Sequence, residues 1–329
     1  MSATALIADT GQSRRKSLDR LRRADKLFHG VTFSSAIFVL GLLSAICVSL
    51  IIGAWPAIKT FGFGFLTSQS WNPVTEKFGG LAPIYGTIVT SLIAMLIAVP
   101  IGFGIAIFLT EACPKPLRRP IGMAIELLAG IPSIIFGIWG LFVLAPFLQT
   151  TVQPALITTF GSIPYLSALF EGPPYGIGML TASLILAIMV LPFITAVSRD
   201  VFDTVPGVLK EAAYGLGCTT WEVVRNIVIP HTRVGLIGGI MLGLGRALGE
   251  TMAVTFVIGN AHKIHASLLA PATTISATIA NEFTEAVGDL YTSSLIFLGL
   301  ILFVISLIVL SAARYLLWRL ERRAQGQGA

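Results

Sequence analysis

The strongest constraint on the fold of this chain is a series of six long apolar runs. Four of them carry no charged residue and two carry one or two; the runs are residues 31–54, 81–110, 120–148, 175–198, 234–259 and 290–313. A helix needs about 20 apolar residues to cross the hydrocarbon core of a membrane. Charged residues make up 12% of the chain, roughly half of what a soluble domain carries. The sequence therefore predicts an all-α integral membrane protein with six transmembrane helices.

The basic residues lie almost entirely on one side of these runs. Of the 22 lysines and arginines, 18 fall in the two terminal segments and in the loops 111–119 and 199–233, whereas three fall in the opposite loops. Lysine and arginine accumulate in the cytoplasmic loops of membrane proteins. We therefore expect both termini to be cytoplasmic. The net charge of +6 is explained in the same way and does not indicate a nucleic acid partner.

The runs divide the chain into four parts. These are a basic cytoplasmic N-terminal tail at 1–30, the first transmembrane helix with an outer loop at 31–80, a core of five transmembrane helices at 81–318, and a cytoplasmic C-terminal tail at 319–329. The core contains a long cytoplasmic loop at 203–230. Proline and glycine interrupt the segment 149–174, which we interpret as an outer loop with a short interfacial helix or, alternatively, as a re-entrant segment.

The sequence lacks the motifs of catalysis and of tight cofactor binding. It contains no GxxxxGK[ST] phosphate loop, no HExxH and no GxSxG arrangement. Its three cysteines are scattered, and His262 and His265 lie in an outer loop, where we expect a solvated pair rather than a metal site. We therefore expect a protein that is not an enzyme and that binds no cofactor or metal itself.

The loop at 203–230 has the pattern of two short helices separated by a bend. Gly215 and Gly217 favour the end of the first helix, because glycine accepts the left-handed conformation. Thr219 and Glu222 have the spacing of a capping box, which opens the second helix. Pro230 predicts the end of that second helix.

The fifth run carries two ionisable groups, Arg246 and Glu250, one helical turn apart. On a helical wheel both lie within about 20° of Gly239. Gly235, Gly239 and Gly243 form consecutive GxxxG steps, which permit close packing of membrane helices. A charge in the membrane interior costs about 3 kcal/mol on insertion scales. We therefore expect the charged pair to face protein or a water-filled path rather than lipid.

Two interpretations of this pair remain open. In the first, the groups form an ion pair within one helix, which neutralises itself and adds little stability. In the second, they bind an oxyanion. The guanidinium of Arg246 holds two oxygens at once, and Glu250 accepts a hydrogen bond from the proton that phosphate keeps near neutral pH. Sulfate has no such proton, so Glu250 would repel it.

Two weaker candidates for the substrate pathway lie in the third run. We expect Glu126 about one turn inside the cytoplasmic end of this helix, which Pro132 is predicted to kink. Ser133 offers a hydroxyl at the kink, although a hydrogen bond to its own helix is the alternative role.

The loop at 203–230 also resembles a known signature. The stretch EAAYGLGCTTWEVVRNIVIP at 211–230 has EAA, three residues, glycine, nine residues and I-x-I-P. This pattern resembles the EAA signature of bacterial ABC importer permeases, with isoleucine at 229 in place of leucine. The resemblance implies that the loop couples the chain to an ATPase subunit through Glu211, Ala212, Ala213 and Gly217.

Longer stretches resemble one branch of this family, the PstC-type permeases of phosphate ABC importers. They are ELLAGIPSIIFGIWGLF at 126–142 and LGLGRALGETMAV at 242–254. The resemblance implies a type I ABC importer permease fold in the bacterial plasma (inner) membrane, with phosphate as the substrate. It also implies that Arg246 and Glu250 are functionally important.

The resemblance further implies partners and a source of energy. A homologous permease, PstA, would complete the pathway, and an extracytoplasmic phosphate-binding protein, PstS, would deliver the substrate. A dimer of the ATPase PstB would hold ATP and Mg²⁺, neither of which this chain binds. Two other functions stay open: a permease for another oxyanion or small solute, and an ATP-independent anion channel or carrier.

Overall fold

Among the residues that it describes, the computed structural model contains six helices that are long and apolar enough to cross a membrane, as the sequence predicts. They are span 1 (Asp25–Phe61), span 2 (Leu81–Ala112), span 3 (Ser133–Phe160), span 4 (Met179–Asp203), span 5 (Thr220–Leu248) and span 6 (Asp289–Arg319). The structure describes residues 3–161, 163–164 and 167–325, without the side chains of residues 3–24, 320, 321 and 323–325. The predicted tails at 1–30 and 319–329 therefore lie partly outside the described residues.

The chain divides into two units, Met1–Gly53 and Ala54–Ala329. The described part of the first unit is helical from Ala3 onward, within the helix Ala3–Phe61. The second unit contains spans 2–6, and span 6 belongs to the helix Asp289–Gln325. Its shorter helices are Gly64–Thr67, Lys115–Ala129, Ser167–Leu169, Gly207–Gly215, Met252–Val257 and Ile275–Glu282.

Three of these short helices are named here by their position. Lys115–Ala129 is the inner helix, Gly207–Gly215 is the EAA helix and Ile275–Glu282 is the outer helix. "Inner" and "outer" denote the sides of the spans that the charge distribution predicts to face the cytoplasm and the exterior.

Spans 4 and 5 pack closely through the glycine face of span 5. A Cβ atom added at each glycine would lie 2.7–3.1 Å from a side-chain carbon of span 4, which leaves room for hydrogen only. The close packing predicted from the GxxxG spacing is therefore confirmed. The two spans are antiparallel, because successive glycines meet successively earlier residues: Gly235 meets Val201, Gly239 meets Val197 and Gly243 meets Ile194.

The third span differs from the sequence prediction of 120–148. The segment Gly130–Pro132 separates the inner helix from span 3, which begins at Ser133 and continues to Phe160. Proline disfavours the helical conformation in the residue before it, and Pro132 itself is extended, with φ −56° and ψ 137°. Pro132 therefore interrupts the helix instead of kinking it. The first part of the predicted outer segment 149–174 is helical up to Phe160.

The fifth span also differs from its predicted bounds of 234–259. Its helix ends at Leu248, and residues 249–251 separate it from the helix Met252–Val257. Gly249 leaves the helical conformation, with φ −91° and ψ 1°. Arg246 and Glu250 therefore do not lie on one continuous helix, and the helical-wheel prediction is wrong for Glu250.

Span 5 begins earlier than predicted, at Thr220. Pro230 does not end a helix, because a π-helical turn at Val224–Val228 directly precedes the α-helical part that contains Pro230. The wider turn accommodates the proline ring, which would otherwise meet the carbonyl four residues earlier. The second helix of the 203–230 loop is therefore the first part of span 5.

Candidate substrate pathway and coupling segment

Arg246 lies in the last turn of span 5, where its side chain is exposed on the surface of this chain. Gly243, one turn earlier, packs against Ile194 of span 4. Since the two spans are antiparallel, Arg246 lies about 12 Å further from the inner end than Arg199 does, at 1.5 Å per residue. Arg246 is therefore deep within the membrane-spanning region and is not at its inner rim.

Glu250 is half-buried in the break between span 5 and the helix Met252–Val257. Its Oε1 accepts a hydrogen bond of 3.2 Å from the backbone N–H of Ala253. A carboxylate is favourable at this position, because the first N–H groups of a helix carry partial positive charge. The ion pairs found among the described residues do not join Glu250 to Arg246. The structure thus does not show the self-neutralising pair.

The two weaker candidates occupy different positions from those expected. Glu126 belongs to the inner helix instead of a span, and its Oε1 lies 2.7 Å from Nη2 of Arg199. Ser133 is the first residue of span 3, so no preceding helical turn offers its hydroxyl a carbonyl. Because Glu126 contacts Arg199 of span 4, it lies about 12 Å closer to the inner end of the spans than Arg246 does. The structure therefore does not bring Glu126 to Arg246.

Glu126 instead lines a charged cavity at the inner end of span 4. A second ion pair, Arg118 Nη2 to Asp203 Oδ1 at 2.6 Å, connects the inner helix to the same span. The residues around the cavity are Lys115, Arg118, Arg119, Met123, Glu126, Arg199 and Asp203. Most of them are charged, so this part of the chain is a polar rim.

The EAA helix and the bend after it form as predicted. The helix ends at Gly215, and Gly217 adopts a left-handed backbone with φ +87°. The capping box opens span 5: the N–H of Glu222 donates to Thr219 Oγ1 at 3.4 Å, and the N–H of Thr219 donates to Glu222 Oε2 at 2.7 Å. The predicted turn chemistry is therefore confirmed.

The predicted coupling residues divide between two faces of this segment. Ala213 is buried in an apolar cluster with Phe202 and Val205, whereas Glu211 and Ala212 are exposed. Large apolar side chains accompany them on the surface: Val208 is 74% exposed, Leu216 86% and Trp221 63%. Large apolar side chains exposed beside the EAA residues make this segment a candidate interaction site.

The sequence analysis missed an ion pair that connects the EAA helix to span 2. Nζ of Lys210 lies 2.5 Å from Oε1 of Glu111, and the Glu111 side chain is only 6% exposed. Glu111 lies in a π-helical turn, Phe108–Ala112, that ends span 2. The available signals were an acid directly after the second apolar run and a lysine directly before EAA. Neither signal indicates the pairing without the fold.

A second carboxylate connects several elements on the outer side. Glu282, at the end of the outer helix, accepts hydrogen bonds from Trp71 Nε1 (2.6 Å), Tyr291 OH (2.8 Å) and His262 Nε2 (2.8 Å). The expected solvated histidine pair is therefore wrong for His262. Burial raises the pKa of Glu282. The hydrogen bonds from His262 and Tyr291 and the charge of His262 together outweigh this effect, so the pKa of Glu282 lies below its ordinary value.

Comparisons with known proteins extend these observations. The family described as "Binding-protein-dependent transport system inner membrane component" matches residues 98–322. A Mesorhizobium japonicum protein named phosphate transport system permease protein PstC is 71% identical over 94% of this chain and 95% of its own length. A protein of the same name from Pasteurella multocida is 59% identical over 90% of this chain and 92% of its own length.

Solved structures share the fold at low sequence identity. A chain of a bacterial alginate ABC transporter, in complex with an alginate pentasaccharide-bound periplasmic protein, aligns with a TM-score of 0.59 and 18% identity. The alignment covers 91% of this chain and 96% of that chain. The likeness confirms the predicted all-α importer permease architecture.

Proposed function

This chain belongs to the PstC family of binding-protein-dependent inner-membrane transport components, and we propose how its residues serve that role. It is a multi-pass protein of the bacterial inner membrane and a permease subunit of a phosphate ABC importer. The observation that carries this conclusion is the 71% identity, over nearly the full length of both chains, to a relative named for phosphate transport. Its role is that of a transport subunit and not that of an enzyme.

Arg246 and Glu250 act on phosphate within the membrane. The Arg246 guanidinium is exposed on this chain and holds the charged oxygens of the anion, as its planar donors allow. One carboxylate oxygen of Glu250 caps the helix Met252–Val257. The other accepts the hydrogen bond of a protonated phosphate and disfavours sulfate. The break in the helix supports this role, because it separates the two groups and avoids their mutual neutralisation.

The homologous permease PstA completes the pathway on the exposed side of Arg246. A dimer of the ATPase PstB docks on the EAA helix, where Val208 and Leu216 supply apolar contacts beside Glu211 and Ala212. ATP and Mg²⁺ bind on PstB. The phosphate-binding protein PstS delivers the substrate on the outer side. Movement of the docked EAA helix then opens the site to the two sides in turn.

Uptake of labelled phosphate by vesicles that contain the assembled complex tests this function. We expect uptake with ATP inside the vesicles and PstS outside, little uptake without ATP, and no inhibition by an excess of sulfate. Uptake that does not need ATP would instead indicate a channel or carrier. Inhibition by sulfate or another oxyanion would indicate a permease of different specificity.

A further inference from the structure

The ion pair between Glu111 and Lys210 differs from its neighbours in its burial. The side chains of Lys210 and Glu111 are 18% and 6% exposed, whereas those of Arg118 and Asp203 are 39% and 48% exposed. Shielded ion pairs lose hydration and are rarely more stable than apolar residues of the same volume. The position of this pair, rather than its contribution to stability, therefore requires an explanation.

Lys210 places one end of the pair on the EAA helix. It directly precedes Glu211, and Ala213, one turn later, packs into the apolar cluster around Phe202 and Val205. Lys210 and Ala213 therefore form the face of this helix that points into the chain, while Glu211 and Ala212 lie on the exposed face. A partner that displaces the exposed face also displaces Lys210.

Glu111 places the other end at the inner terminus of span 2. From there span 2 continues alongside span 4, with Gly102 packed against Ile194. Further along, the Met95 side chain reaches to 3.4 Å from where a Cβ of Gly243 would lie, one turn before Arg246. Close-packed helices shift as units because they leave no free volume between them. Contacts thus lead without a gap from Lys210 to the turn that carries Arg246.

We propose that the Glu111–Lys210 ion pair is the strut that transmits movement of the EAA helix to span 2 and, through it, to Arg246. Apolar contacts have no preferred direction. A charge-assisted hydrogen bond holds two atoms at a short, directed distance, so span 2 follows the EAA helix. Glu111 and Lys210 are thus positioning residues for coupling. This role rests on the proposed function and adds the route by which ATP hydrolysis reaches the substrate site.

The test measures phosphate carried per ATP hydrolysed in vesicles with the assembled complex. The variants are Glu111→Gln, Lys210→Met and the exchange of Glu111→Lys with Lys210→Glu. Each single variant is expected to keep ATP hydrolysis but to carry about tenfold less phosphate per ATP. The exchange restores the opposite charges and should recover most of the ratio. Arg118→Gln, which breaks an exposed ion pair of the same region, should leave the ratio unchanged.

The outcomes distinguish a failure of the strut proposal from a failure of the proposed function. Wild-type vesicles must first show ATP-driven phosphate uptake, and their failure would contradict the function itself. With active wild type, an unchanged ratio in both single variants overturns the strut. If the single variants do not assemble, the double variant Glu111→Lys with Lys210→Glu provides the deciding measurement. Recovery of assembly and of the ratio supports the strut, and failure to recover either one overturns it.

Discussion

Two pairs of opposite charges in this chain have opposite arrangements. Glu111 and Lys210 are 2.5 Å apart and shielded at the inner end of span 2. Arg246 and Glu250, only four residues apart in sequence, are not joined in an ion pair, and Arg246 is exposed deep within the membrane-spanning region. Sequence proximity therefore does not predict these two arrangements, since the residues of the closed pair are 99 positions apart.

The difference indicates two uses of charge in a membrane protein. In a closed pair each charge is already compensated by its partner, so the pair is suited to hold two elements together. Arg246 and Glu250 form an open pair, in which the two charges do not contact each other. Such charges are costly in the membrane interior unless another charged group contacts them. We infer that phosphate completes the open pair during transport, whereas the closed pair keeps its partners throughout.

Neutralising Arg246, the cation of the open pair, should have the largest effect on phosphate uptake. We expect Arg246→Gln to reduce ATP-driven phosphate uptake about 100-fold, because loss of a charged partner costs about 2–5 kcal/mol. Complex assembly should be unaffected, since Arg246 has no ion-pair partner among the described residues. The matched control is Arg233→Gln, an exposed arginine near the inner end of the same span. Equal losses in both variants would show that the position of Arg246 in the membrane-spanning region has no specific importance for uptake.

Neutralising the open carboxylate should change selectivity. Glu250→Gln keeps an oxygen that can cap the helix at Ala253, so the local fold should persist. Its loss of charge should reduce the preference for phosphate over sulfate about 30-fold, because a hydrogen bond to a charged group is worth about 1.5–3 kcal/mol. Competition of sulfate with labelled phosphate in vesicles measures this preference. An unchanged preference would show that Glu250 does not read the proton of phosphate.

The coupling segment should respond to backbone conformation. A side chain at Gly217 would be strained by its φ of +87° even though nothing surrounds it, and this strain costs about 1–2 kcal/mol. We therefore expect Gly217→Val to lower ATP-coupled uptake about tenfold, and Gly217→Asn to lower it less. The control is Gly215→Ala, at a position with free space and helical backbone. Similar uptake in Gly217→Val and the control would contradict a role for this bend.

Glu282 on the outer side is a third charged site, and its carboxylate has its hydrogen-bond partners within the chain. We expect Glu282→Gln to lower the unfolding midpoint of the purified complex by a few degrees at neutral pH and to leave phosphate per ATP unchanged. In the wild type, the pKa of Glu282 is lower when folded than when unfolded. Its stabilisation is therefore complete above the ordinary carboxyl pKa of about 4.3 and disappears as the pH falls below it.

Differential scanning at neutral and at acidic pH measures this contribution. The midpoints of wild type and Glu282→Gln should converge at acidic pH. A variant that keeps its stability but loses transport would place Glu282 among the functional residues.

Turn chemistry and apolar patterning were predictable where the cause is local. The end of the EAA helix at Gly215, the left-handed Gly217 and the Thr219–Glu222 capping box all follow from residues within one turn of each other. The close packing of the glycine face was likewise predictable, because the absence of a side chain is a property of each residue alone.

Helix continuity was the part that failed. Pro132 was expected to kink a helix and interrupts it, and Pro230 was expected to end a helix and is accommodated within one. The same residue type gives different results because a neighbouring π-helical turn widens the backbone at Pro230 but not at Pro132. The wheel that placed Glu250 beside Arg246 failed for the same reason, since it assumed an unbroken helix.

The sequence by itself determined that this is a six-span membrane protein of the importer permease family. The length of each apolar run and the spacing of the EAA signature depend only on the order of residues in the chain. Only the tertiary structure decided which charges close on one another. Pairing depends on contacts between distant residues, such as Lys210 with Glu111 and Arg199 with Glu126. It also depends on the break at residues 249–251, which separates Glu250 from Arg246.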